Sequence, residues 1–78
     1  METTWTAPNG DRVTDPTGVL TEEQLEFLYG EYGSNANLMI NNAYDVALVN
    51  ANSLGVDADD FAQTKIFQLY NDSMVGVD

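Results

Sequence analysis

The sequence predicts an all-α fold, a small three-helix bundle with an extended N-terminal arm or short hairpin in front of it. Three observations lead there. Apolar residues recur at helical spacing in three stretches after residue 20, each stretch opens on a capping residue, and residues 1–18 hold Thr, Pro, Gly and Asp instead. The 78 residues, 44% of them apolar, support one modest core, so residues 19–78 are read as a single helical domain behind an arm of residues 1–18.

In the arm, Asn9-Gly10 favours a tight turn, and pairing across that turn sets Trp5 opposite Thr14. Pro8 beside it cannot donate to a strand ladder, so an extended arm anchored by Trp5 stands as the alternative.

The first helix is expected over about 21–30. Thr21 suits the N-cap, Gln24 can reach back to complete a capping box, and Leu20 and Leu25 occupy the staple positions. Glu22 and Glu23 then lie where the positive end of the helix dipole favours carboxylates. Leu25, Leu28, Tyr29 and Tyr32 form the buried stripe, Gly30 or Gly33 supplies the stop, and Phe27 points away from the stripe.

A second helix is expected over 36–54, capped by Ser34 or Asn35. Ala36, Ile40, Ala43, Ala47, Ala51 and Leu54 share one face, small enough for another helix to approach closely. Leu38, Leu48 and Val49 lie on the other side among asparagines and Asp45. A helix apolar on two sides must be covered on both, by its neighbours in the bundle or by another subunit.

The third helix is expected over 58–75, with Asp57 as N-cap, Asp59 and Asp60 in its first turn and Gly76 as its stop. Ala58, Ala62, Ile66, Leu69 and Tyr70 face inward. Phe61 and Phe67 fall outside the centre of that face and, with Phe27, form an aromatic set of the kind that concentrates at interfaces. The candidate contact residues are therefore Trp5, Phe27, Leu38, Leu48, Val49, Phe61 and Phe67.

Thirteen acids against two cations, Arg12 and Lys65, with no histidine, give a formal net charge of −11. Phosphate affinity comes from clustered Lys and Arg, so tight nucleic-acid binding is not expected and the partners are expected to be proteins. The single lysine also fits a salt-rich setting. Without His or Cys the chain has no activated Ser or Cys nucleophile of the His-paired type. Glu22, Glu23 and Glu26 read as a solvated acidic face. The run Asp57-Ala58-Asp59-Asp60 lacks the glycine and distant glutamate of a calcium loop. No catalytic residue, cofactor or metal site is expected, and no apolar run approaches the ~20 residues that cross a bilayer.

The order of features carries a resemblance. Asp15-Pro16 is followed by LTEEQLEFLYGEYG and then by the alanine-bearing NANLMINNAYDVALVNANS. This resembles the head-to-tail adaptor, or connector, proteins of tailed viruses over residues 14–54. Asp15, Pro16, Leu20, Thr21, Glu22, Glu23, Leu25 and Leu28 match the family's opening, and Ala43, Ala47 and Ala51 match its long helix. The resemblance implies a virion protein, made in the host cytoplasm, whose copies form a ring beneath the portal and meet the portal protein on one side and a tail component on the other. It also implies that a chain end, the arm with Trp5 or the terminal MVGVD, docks on the portal, and that Glu22, Glu23 and Glu26 present an acidic surface along which DNA slides. The alternative is an acidic inhibitor that imitates nucleic acid and blocks a host defence or DNA-binding protein. A mimic needs carboxylates along one continuous face, whereas the acids here cluster at helix starts.

Overall fold

The computed structural model describes residues 1–76; Val77 and Asp78, part of the terminal segment considered for portal docking, lie outside the described residues. A two-stranded antiparallel hairpin, β1 (Thr3–Thr6) and β2 (Arg12–Asp15), precedes three helices, α1 (Glu22–Tyr32), α2 (Asn35–Leu54) and α3 (Ala58–Val75). The hairpin, not the extended arm, is what forms.

Its register differs by one residue from the expected pairing: Trp5 lies opposite Val13, and Thr14 opposite Thr4. Proline is the reason. A two-residue turn at Asn9-Gly10 would require an amide proton from Pro8, which has none. The chain instead closes on Ala7 and Asp11, with Ala7 N–H donating to Asp11 O at 2.7 Å and Gly10 N–H to Ala7 O at 2.9 Å. Pro8 thereby takes the position after the first turn residue that its fixed φ suits, and Gly10 takes the left-handed φ of +96°. Trp5 and Val13 end on the inner face, where the Trp5 ring packs 5.4 Å from that of Tyr29.

α1 opens as expected. Thr21 Oγ1 accepts from Gln24 N–H, and the Gln24 side chain accepts from Thr21 N–H, completing the capping box. The helix runs two residues past the expected end, through the exposed Gly30, and stops at Gly33, whose φ of 61° and ψ of −140° suit only glycine. The expected side-chain cap of α2 is absent: Ser34 has helical backbone angles and makes no cap bond, and Asn35 is already inside the helix. Ala36 N–H donates to Gly33 O instead, so the tight corner itself serves the first amides. At the other end Gly55, φ 72°, and Val56 return amides to Asn52 O and Ala51 O, the paired bonds of a Schellman motif. α3 starts on Asp57, whose carboxylate accepts from Asp60 N–H, and ends at Val75 with Gly76 as its cap.

Two packing regions result. The main core gathers Val13, Leu20, Leu25, Leu28, Ile40 and Ile66 where hairpin, α1 and the first half of α2 meet α3. Each large aliphatic side chain buried there contributes about 1.5–3 kcal/mol. Beyond it α2 and α3 run on together along a narrow seam of buried Ala47 and Ala51 on one side and Ala62 and Ile66 on the other. Leu54, expected on this inward face, is 64% exposed, because the last turn of α2 projects past the seam before the chain reverses at Gly55. Ser73 is buried where no polar residue was expected, bonded to Tyr32 Oη at 2.7 Å and donating to Leu69 O at 3.0 Å.

Candidate functional site

At the hairpin end the polar groups are committed to one another. Asp15 is fully buried, and its carboxylate accepts from Thr17 N–H at 2.8 Å, Thr17 Oγ1 at 2.6 Å and Leu20 N–H at 2.9 Å. This lock sets the chain direction from β2 into the capping box of α1. Gly18 sits inside it with φ +70°, and a Cβ there would collide with the Met1 carbonyl oxygen, so only glycine lets the chain start pass. Thr14 N–H donates to Asn37 Oδ1 at 2.8 Å, which ties β2 to α2, and Asn41 holds Asn37 in place through its amide. At the hairpin tip Tyr29 Oη donates to Asp11 Oδ2 at 2.7 Å while Asn9 Nδ2 donates to Tyr29 Oη at 3.1 Å. The bond to Asp11 holds the Tyr29 phenol above its ordinary pKa, since ionising it would remove the donor.

Among the described residues no buried side-chain nitrogen or oxygen lacks a partner, and no group of three potential ligands is placed to hold a metal ion. None of the described helices is long and apolar enough to cross a membrane. The carboxylate of Asp15 is fully buried and held by three of the chain's own donors.

The seven apolar candidates divide into two groups. Trp5 packs on Tyr29, Phe27 meets Tyr70 edge-on at 5.7 Å, and the Phe61 ring lies 5.2 Å below the Lys65 ammonium. Phe27 therefore does not point away from the bundle; it packs against the rim of the core, between α1 and α3. Leu38 at 68%, Val49 at 66% and Phe67 remain exposed, and Leu48 is half-buried. The structure adds Val46, 50% exposed, to the group on α2. Its signal in the sequence was its place directly before Ala47, one step off the alanine face.

Glu22, Glu23 and Glu26 are exposed, and Glu23 and Glu26 join Glu31 around a shallow concavity floored by Phe27 and Gly30. A second concavity, around Val56 and Phe61, carries Asp57 and Asp60. A third, of about 250 Å³, lies between α2 and α3 and is lined by Ala43, Val46, Ala47 and Leu69 with Lys65 and Asp72 on its rim. The chemistry these surfaces offer is that of contact: apolar side chains edged by carboxylates and one ammonium. Comparison with protein-family models, with curated proteins and with solved structures finds no match to this chain.

Proposed function

We propose that this chain is a structural assembly subunit of the head-to-tail adaptor type, a non-catalytic virion protein that works by docking against its own copies, the portal protein and a tail component. The observation that carries the reading is the outward side of α2: Leu38 and Val49, which share one face of the helix three turns apart, are each about two thirds exposed, along a helix already packed on its other side. A marginal 78-residue domain gains stability when such side chains are covered by neighbouring subunits. The order of Asp15-Pro16, the capped α1 and the alanine-bearing α2 supports the adaptor type in particular. Here Asp15 acts as the lock that aims α1, and Ala47 and Ala51 as the seam that lets α3 approach. The exposed Glu22, Glu23 and Glu26 supply a surface that repels phosphate, which suits a passage for DNA.

Peptide mass spectrometry on purified particles encoded by the same genome tests this. A copy number of a few per cent of the major capsid protein, at the order expected of one ring per particle, supports it, and the paired change Leu38→Asp with Val49→Asp should abolish incorporation while leaving the isolated chain helical. Absence from intact particles, with the protein plentiful in infected cells, contradicts it and favours the acidic inhibitor.

A further inference from the structure

The concavity between α2 and α3 sets opposite charges over an apolar floor; Arg12 with Asp11, and the Met1 amine with Asp59, pair charges at two other concavities, whose linings are mainly polar. Glu23, Glu26 and Glu31 make the concavity over Phe27 purely acidic, and the one around Val56 carries Asp57 and Asp60 with the Lys65 ammonium over its Phe61 ring. On the α2–α3 rim one ammonium, Lys65, is set against one carboxylate, Asp72. For a chain of net charge −11, contact between two copies is opposed everywhere that carboxylate meets carboxylate, so a surface of locally balanced charge is where a copy can approach.

The spacing of the two charges specifies how. Lys65 and Asp72 are seven residues apart on one helix, two turns and about 10.5 Å along its axis, hence on the same face. A two-fold axis lying outside α3, at a right angle to it and level with the midpoint of the two residues, exchanges the two positions between copies. Lys65 of each copy then meets Asp72 of the other, twice over, and the apolar floor of Val46, Ala47 and Leu69 meets its own counterpart. Lys65 is exposed, and its ammonium, which lies over the Phe61 ring, exchanges that solvent-facing contact for the partner copy's carboxylate. We infer that the α2–α3 face docks a second copy of this chain in an antiparallel, two-fold arrangement registered by two Lys65–Asp72 pairs. This contact belongs to the free chain, uses a different side of α2 from Leu38 and Val49, and is independent of incorporation into a particle.

Sedimentation equilibrium of the purified chain, with circular dichroism as the check on folding, tests it by charge exchange. The unaltered chain should show a monomer–dimer equilibrium. Asp72→Lys should weaken dimerisation about tenfold or more by placing lysine against lysine, although it makes the chain less negative. Lys65→Asp should weaken it similarly, and the double exchange Lys65→Asp with Asp72→Lys should restore it, since aspartate then meets lysine again. Val46→Asp, at a half-exposed position that tolerates a polar group in the monomer, should abolish it. A monomer at every concentration overturns the inference. So does a dimer that Asp72→Lys strengthens, the result expected if only net charge mattered, or a double exchange that fails to restore association while remaining helical.

Discussion

The two ends of this small domain are held together by different physics. At the hairpin end, strands, α1 and α2 are joined by directional bonds, some local, as Asp15 with Thr17 and Leu20, and some between residues far apart in sequence, as Thr14 with Asn37 and Tyr29 with Asp11. Among the described residues no buried side-chain nitrogen or oxygen lacks a partner. At the far end, α2 and α3 are joined by alanine contacts that bring two backbones close but cover only a narrow strip. The first region is complete within one chain. The second leaves Val46, Val49 and Leu54 in water, and this is the end that the proposed assembly would cover.

The largest test of that contrast is Asp15→Ala. It strips acceptors from the amides of Thr17 and Leu20 inside the core and should cost about 3 kcal/mol or more, a large share of the stability of a domain this size, in urea unfolding. Asp15→Asn, which keeps one acceptor oxygen, should cost clearly less; equal losses would mean the site is held by packing alone. Next comes Ala47→Leu, which forces the seam apart and should cost about 1–3 kcal/mol by the same measurement. A neutral outcome would show that α2 and α3 are not closely packed there.

Smaller effects sharpen the account. Gly30 is helical, exposed and has open space where a Cβ would go, so Gly30→Ala should stabilise by about 0.5–1 kcal/mol. Smallest is the pH response of the hairpin tip. Because the phenol of Tyr29 is held above its ordinary value of about 10 in the folded chain, its contribution is intact below that pH and is lost as pH rises through the folded value. The part of the tyrosine absorbance titration that Tyr29→Phe removes should lie above the ordinary phenol value, and Asp11→Ala should move it down.

What was legible in the sequence was what is local in it. The capping box joins Thr21 to Gln24 and the α3 cap joins Asp57 to Asp60, three residues apart in each case, so spacing alone revealed them. The helix boundaries followed, apart from the start of α2, which lacks its expected side-chain cap and begins at Asn35, and the end of α1, where Gly30 proved to be tolerated inside a helix and Gly33 turned the chain. The hairpin register was missed because the Asn9-Gly10 signal outweighed the missing amide of Pro8 beside it. The Asp15 lock is local too, spanning two and five residues, but it follows an irregular turn and not a helical or strand period, and the Tyr32–Ser73 bond joins residues 41 positions apart. Of the candidate contact residues, Leu38 and Val49 were legible as apolar residues on the wrong side of a helix. Phe27 and Trp5 were not, because a wheel drawn for one element does not show that Tyr70 or Tyr29 of another reaches across to cover them.

The most direct test of the contrast between a complete end and an open one is amide hydrogen exchange on the free chain at low and high protein concentration. Protection should rise with concentration in α2 from Ala43 to Leu54 and in α3 from Phe61 to Asp72, while Val13, Leu25 and Leu28 exchange at unchanged rates. Protection that rises equally in both regions, or in neither, would contradict the account.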